Sequence, residues 1–353
     1  MRWRGLVAGA LLPLLLAAPV VARELWERKW IEVRTEHFSV ASALDEKNTV
    51  RVASDLESFR SAVRKLLGVR VEERVPTRVF IVPPRTKELG IDRNQVGWFR
   101  PEMRQNVAVV SSAGGGLSLS VTLFHEYAHF LTHNQSGVAY PPWFDEGFAE
   151  VLSTMTFERD RFFVGNVARN LLEWLQGNPW MSYTRVLRVR DVAKLSDDDR
   201  SMFYAQPWAL VHFLLLGPHR PHFQERMKLY MEAVEAGAAD EAAFAAAFAE
   251  KPKDLTRRVR AYLNDEARIW PTALPPRSAA AGSSVRVLPE SEIAARIGRV
   301  ALVSGDRKVA QKAFDAALTA ASTWCSITRI SASCSSPTRT SPRATCSIAR
   351  GCG

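Results

Sequence analysis

Residues 117–150 constrain the fold more than any other stretch, because they carry titratable side chains at helical spacing. Residues 125–129 read HEYAH, and no glycine or proline occurs from residue 117 to 134, where apolar residues recur every three or four positions. That period predicts an α-helix. Residues four apart lie on the same side of a helix, so His125 and His129 point in one direction, one turn apart.

These two histidines are candidate metal ligands, and Glu126 is a candidate base. Imidazole nitrogens bind zinc, and a catalytic zinc site takes three protein ligands and leaves one position for water. Glu126 lies about 100° around the helix from His125, which suits a base acting on that water better than a ligand. The pattern H-E-x-x-H on a helix thus indicates Zn2+ and hydrolytic chemistry, although the pentapeptide alone also arises by chance.

A second helix supplies the third ligand. Pro141 and Pro142 suit a first helical turn and an apolar face follows them, so a helix is predicted to begin near Pro142. Glu146 and Glu150 share one face of it, because they are four apart. We assign Glu146 as the third metal ligand and Glu150 as the acceptor of the other ring N–H of a metal-bound histidine. Gly147 removes a side chain where the two helices are expected to meet.

Together the two elements resemble the gluzincins, zinc metallopeptidases of clan MA, in which HExxH on one helix is followed by W-x-x-E-G-x-A on the next. Here the second motif reads WFDEGFA at residues 143–149. The chain also resembles bacterial peptidase-MA-like proteins that carry helical repeats after the protease domain. The resemblance implies zincin-type active-site helices, Zn2+ as cofactor and peptide-bond hydrolysis. Asp145 could replace Glu146 as a ligand in an aspartate-type site, but the Gly-Phe-Ala that follows favours Glu146.

Tyr204 is a candidate catalytic residue by the same resemblance. Relatives often place a tyrosine in a later helix, where it stabilises the oxyanion of the tetrahedral intermediate. Tyr204 lies in a predicted buried helix over residues 201–216, and a core aromatic residue is the alternative. His212, in the same segment, is expected in the core. Aminopeptidases of this group usually carry a G-x-M-E-N segment, which this chain lacks, so an endopeptidase is favoured.

The N-terminal segment 1–22 has the features of a secretory signal peptide. Two arginines precede an apolar run, and small residues follow up to Ala22. The apolar run contains Pro13 and is short for a membrane span, so cleavage after Ala22 is favoured over an uncleaved anchor. We therefore expect a secreted or periplasmic protein with no stable membrane span after cleavage.

Charge and cysteine placement narrow the partners. The chain has 353 residues and a net charge of +10, but no basic stripe with interleaved aromatic residues, so nucleic acid is not expected as a partner. All four cysteines lie at or after Cys325. Neither disulfides nor thiolate ligands are therefore expected in the catalytic part. The tail 323–353 shows no regular period and is predicted to be disordered. A shift of reading frame near Ala321 is our hypothesis for the abrupt end of the helical pattern there.

The remaining pattern predicts an α+β fold, with a small mixed sheet and a helical zinc-binding part packed against it. We divide the chain into an N-terminal α/β part (23–116), a helical zinc-binding part (117–268), a linker (269–290) and a helical hairpin (291–322). Segment 106–111 is expected either to be an exposed sheet edge that binds an extended peptide or to belong to a flexible connector. The hairpin resembles one tetratricopeptide repeat, which cannot bury its own face; either further repeats are missing or it packs on the protease domain.

The function expected from these features is zinc-dependent hydrolysis of peptide or protein substrates, with Glu126 as general base. Two alternatives remain open at this stage. One is a non-hydrolytic zinc-binding scaffold that contacts a protein partner through the C-terminal hairpin, and the intact Glu126 argues against it. The other is a zinc hydrolase of a different amide or ester, which would differ only in the shape of the pocket.

Overall fold

The computed structural model describes residues 24–67, 75–91, 96–102, 105–113, 115–135, 140–158, 161–266, 270–273 and 283–334. The fold is α+β, as the sequence pattern predicts. The segment predicted as a signal peptide lies outside the described residues. No helix within these ranges is both long and apolar enough to cross a membrane.

Strands of the described residues form two sheets. In chain order they are β1 (Trp30–Arg34), β2 (Phe38–Ser42), β3 (Thr77–Val82), β4 (Gly97–Pro101), β5 (Asn106–Ser111), β6 (Thr156–Glu158), β7 (Arg161–Val164), β8 (Trp270–Ala273) and β9 (Ser284–Leu288). Six of them form a mixed sheet in the order β4-β5-β3-β2-β1-β9, in which β3 runs parallel to β2 and β5 and the other neighbours are antiparallel. Strands β6, β7 and β8 form a small antiparallel sheet.

Segment 106–111 forms strand β5, and this strand lies in the interior of the sheet, so the expectation of an exposed sheet edge there is wrong. It pairs with β3 on one side and β4 on the other, and all of its residues are buried. Three of them, Val107, Val109 and Val110, are β-branched, which suits a strand covered on both faces. Among the described residues, β4 is the edge strand of the sheet on this side, and it contacts α2, the helix of the HExxH motif.

Eleven α-helices occur in the described ranges. They are α1 (Glu46–Leu67), α2 (Gly115–Gln135), α3 (Pro142–Ser153), α4 (Arg169–Gly177), α5 (Tyr183–Arg188), α6 (Asp197–Leu216), α7 (Phe223–Glu235), α8 (Asp240–Phe248), α9 (Pro252–Ala261), α10 (Glu290–Ser304) and α11 (Arg307–Cys334). One face of the sheet packs on α1 and α2, with α3 and α6 behind them. Phe59 of α1 stacks on Phe124 of α2, with ring centroids 4.4 Å apart. This core holds α2 against the sheet.

The opposite face of the sheet is covered by the hairpin of α10 and α11. Ile293, Ile297 and Val300 of α10 are buried in one cluster with Phe80 of β3 and Val109 of β5. Gly305 joins the two helices in the left-handed region, with φ of +95°. The hairpin thus packs on the protein itself, which is one of the two expected alternatives.

Two predictions about the C-terminal part are wrong in the described residues. Segment 269–290 is not only a linker, because it contains β8 and β9. Strand β9 pairs with β1 along its whole length, and Arg286 on it reaches the buried carboxylate of Glu32. The tail predicted to be disordered from residue 323 is helical as far as Cys334, where α11 ends.

Candidate metal centre

Three side chains from two helices converge on one point. Helix α2 carries His125 and His129, and α3 carries Glu146. The two Nε2 atoms lie 3.1 Å apart, and Glu146 Oε2 lies 3.6 Å from His125 Nε2 and 3.5 Å from His129 Nε2. The structure therefore brings together the three residues that the sequence predicts as ligands.

These distances fit a tetrahedral zinc ion. Zinc bonds of about 2.0–2.2 Å require ligand atoms about 3.3–3.6 Å apart at the corners of a tetrahedron. The three measured separations, 3.1, 3.5 and 3.6 Å, lie in or close to this range. Glu146 Oε2 is also buried and has no hydrogen-bond partner among the described residues. A buried carboxylate oxygen that faces two imidazole nitrogens is suited to binding a cation.

A carboxylate lies behind each histidine. Glu150 Oε1 is 3.5 Å from His125 Nδ1, and Asp145 Oδ2 is 3.1 Å from His129 Nδ1. Thr132 on α2 donates a hydrogen bond of 3.0 Å to the other oxygen of Asp145. A carboxylate beside Nδ1 favours a proton on that nitrogen, which would leave Nε2 of each ring free to bind a metal.

The position of Glu150 agrees with its predicted role, whereas Asp145 takes a role that the sequence analysis missed. Asp145 was considered only as an alternative ligand, yet it faces the Nδ1 side of His129 and not the Nε2 side. The sequence does contain a signal for this position: Asp145 is adjacent to Glu146, so the two side chains are about 100° apart around α3. Glu146 can then face Nε2 of His129 while Asp145 faces Nδ1 of the same ring.

The charges of this cluster shift several pKa values. Burial lowers the pKa of His129, but the adjacent carboxylates of Asp145 and Glu146 outweigh burial and raise this pKa to about 10. Burial raises the pKa of Glu146, but the adjacent rings of His125 and His129 lower it to about 2. Without a metal, protons on the imidazoles thus balance the carboxylates. A divalent cation bound at the same point would replace those protons.

Glu126 lies beside the three ligand residues. Burial raises the pKa of its carboxyl group, and the nearby charges of His125 and His129 act in the opposite direction. Its carboxylate accepts a hydrogen bond from the backbone N–H of Phe99, on the edge strand β4. A raised pKa moves a carboxylate towards the range in which it can accept and return a proton.

Helix α3 is held in place by close packing against α6. A Cβ atom at Gly147 would lie 2.4 Å from the carbonyl oxygen of Pro207 and 2.8 Å from Val211 Cγ2. Only glycine allows this approach. Gly147 therefore does remove a side chain at a helix contact. The predicted partner was the helix of the HExxH motif, α2, whereas the observed partner is α6.

Tyr204 reaches the neighbourhood of the centre from α6. Burial raises the pKa of its phenol to about 12, and the negative charges of Glu146 and Glu150 contribute to the shift. The hydroxyl thus stays protonated at neutral pH and can donate a hydrogen bond. Within the described residues no hydrogen bond to this hydroxyl is found.

Other histidines have partners that explain them without a metal. His37 contacts Glu57 at 2.8 Å, and His219 contacts Glu250 at 2.9 Å. His212 is buried in α6, as expected, with its ring nitrogens 2.7 Å from the Tyr262 hydroxyl and 3.1 Å from a backbone carbonyl. In comparisons with known proteins, the chain matches no protein-family model and no curated protein.

Proposed function

We propose that this chain is a zinc-dependent peptidase of the gluzincin type. The observation that carries the proposal is the cluster of His125 Nε2, His129 Nε2 and Glu146 Oε2, separated by 3.1–3.6 Å, with Glu126 beside it. A site that only holds a structural metal does not need a carboxylate base next to three ligands and an open fourth position.

The roles of the residues follow from their positions. Zinc bound by the three ligands would polarise a substrate carbonyl and lower the pKa of water. Glu126 accepts the proton of the attacking water and passes it to the leaving amine. Tyr204 donates a hydrogen bond to the developing oxyanion. Glu150 and Asp145 hold the two imidazole rings in the orientation that presents Nε2.

An extended peptide is the substrate that the surroundings favour. Strand β4 is an edge strand, and the N–H of Phe99 points away from β5 towards Glu126. A peptide that pairs with this edge through its backbone would pass beside Glu126. Backbone pairing does not need a free substrate terminus, which supports an endopeptidase.

Hydrolysis of a mixed peptide library by the purified chain tests this proposal, together with an assay of zinc content. We expect about one zinc per chain and cleavage that falls by about 10²–10⁴-fold in Glu126→Gln at equal zinc content. Glu235→Gln, an exposed change on α7 with the same loss of charge, is the control and should cleave normally. Equal cleavage by Glu126→Gln and the parent chain would refute the role of Glu126. Full zinc without cleavage by either protein would favour the non-hydrolytic scaffold.

A further inference from the structure

A second charged site lies on the other face of the sheet, in a groove between β3, β5 and α10. Its walls combine three arginines with apolar side chains. The lining residues are Arg78, Phe80, Gln105, Val107, Arg296, Arg299, Val300 and Val303. The groove is separated from the metal centre by the sheet, because α2 packs on the opposite face.

The carboxylates near the groove are already engaged by other arginines. Glu32, which is fully buried, receives Arg296 at 2.8 Å and Arg286 at 2.6 Å, and Ser39 donates a further hydrogen bond of 2.7 Å. Burial alone would raise the pKa of Glu32, but its hydrogen bonds lower it to about 2. Glu292 is shared by the same two arginines, at 2.7 and 2.5 Å. Neither carboxylate lies within ion-pair distance of Arg78.

Arg78 has no carboxylate within ion-pair distance of its guanidinium among the described residues. Burial and the charges of Arg296 and Arg299 lower the pKa of Arg78, and the charge of Glu32 acts in the opposite direction. A guanidinium group stays charged in proteins, so Arg78 is a cation. Arg299 has one distant partner, Glu102, at 3.5 Å. The donors of Arg78 and Arg299 thus face the groove with their charges incompletely balanced.

We propose that this groove binds a phosphate group, held by Arg78 and Arg299 and supported by the charge of Arg296. Counted over the described residues, five guanidinium groups, including those of Arg34 and Arg286 outside the groove, lie in one cluster with three carboxylates, an excess of two positive charges. A phosphate or phosphomonoester dianion supplies that charge, and its oxygens accept bidentate hydrogen bonds from guanidinium groups. The ligand is either free phosphate or the phosphate of a small monoester, since both present the same group.

Titration calorimetry of the full-length chain with inorganic phosphate, at constant ionic strength in chloride, tests the site. We expect saturable binding to the parent chain and a Kd at least about tenfold higher in Arg78→Met, which loses a bidentate charge-assisted contact. Arg299→Met, a change at a half-exposed side chain, should also weaken binding. Phenyl phosphate in a second titration identifies the source: tighter binding than phosphate indicates a monoester, and weaker binding indicates the free ion.

Arg51→Met is the matched control, because it removes the same charge from an exposed position of α1 on the other face of the sheet. It should bind phosphate like the parent chain. Absence of binding to the parent chain, or equal binding by Arg78→Met, would overturn the proposal. Equal weakening by Arg51→Met would also overturn it, because net charge alone would then explain the effect. If phosphate binds at the metal centre instead, Arg78→Met will not weaken its binding, and the result will count as equal binding.

Discussion

The two faces of the large sheet carry excess charge of opposite sign. On the α2 face, four carboxylates surround His125 and His129 at the metal centre. On the α10 face, arginines outnumber carboxylates around Glu32. A half-buried group without a counterion is costly, so each face is suited to an ion from solution. The comparison predicts a cation on one face and an anion on the other.

The largest effect on zinc binding should come from Glu146→Gln, which removes the proposed anionic ligand on the α2 face of the sheet. Loss of a hydrogen bond that supports a ligand lowers metal affinity by about 10–100-fold, and the loss of this ligand should lower it further. Competition with a zinc-binding dye measures this affinity. Phosphate binding in the groove should not change, because the sheet lies between the sites. Retention of full zinc affinity would show that Glu146 is not a ligand.

Glu32→Gln tests the other face through stability. The substitution leaves Arg34, Arg286 and Arg296 around an uncharged side chain and should cost about 3 kcal/mol at pH 7. Because folding lowers the pKa of Glu32 from 4.5 to about 2, its contribution is present above pH 4.5 and is lost as the pH falls towards 2. Denaturant unfolding at several pH values measures the difference between the two proteins.

The exposed change Glu290→Gln, at the start of α10, is the control for Glu32→Gln and should be close to neutral at every pH. A difference between Glu32→Gln and the parent chain that stays constant from pH 7 to pH 2 would contradict the assigned ion pairs. Zinc release in acid affects both proteins alike and does not alter this difference.

Gly147→Ala should displace α3, which carries Glu146, and lower stability without removing any charge. The added Cβ would overlap the carbonyl of Pro207, so α3 must move away from α6, at a cost of about 1–3 kcal/mol. Thermal unfolding measures the loss. Gly177→Ala is the control, because a Cβ there meets nothing within 4 Å. If both variants melt alike, the close approach of the two helices does not contribute to stability.

Asp145→Asn should lower zinc affinity less than Glu146→Gln does. The amide cannot hold the ring of His129 as the carboxylate does, so zinc affinity should fall by about 10–100-fold. Thr132→Val, which removes only the hydroxyl that orients Asp145, should have a weaker effect in the same direction. A change larger than that of Glu146→Gln would indicate that Asp145 is itself a ligand.

Much of the metal centre is predictable because its parts are local in the chain. His125 and His129 are one helical turn apart, and Glu146 follows on the next helix, so spacing alone placed them on facing sides. Helix α2 covers the predicted helical segment 117–134, and α3 begins at Pro142, as predicted. Sequence reasoning failed at the pairing of strands, where β5 has a neighbour on each side, and at β9, which arises inside a predicted linker.

By itself, the sequence determined the helices of the HExxH region and which side chains face one point as candidate ligands, because both depend on a period of three to four residues. Only the tertiary structure decided which strand is the edge, which helix Gly147 faces, and that Arg78 meets Arg296 and Arg299. Such contacts join residues that are dozens to hundreds of positions apart. Their pairing depends on the order of the strands and helices in space, which the pattern along one strand or helix does not specify.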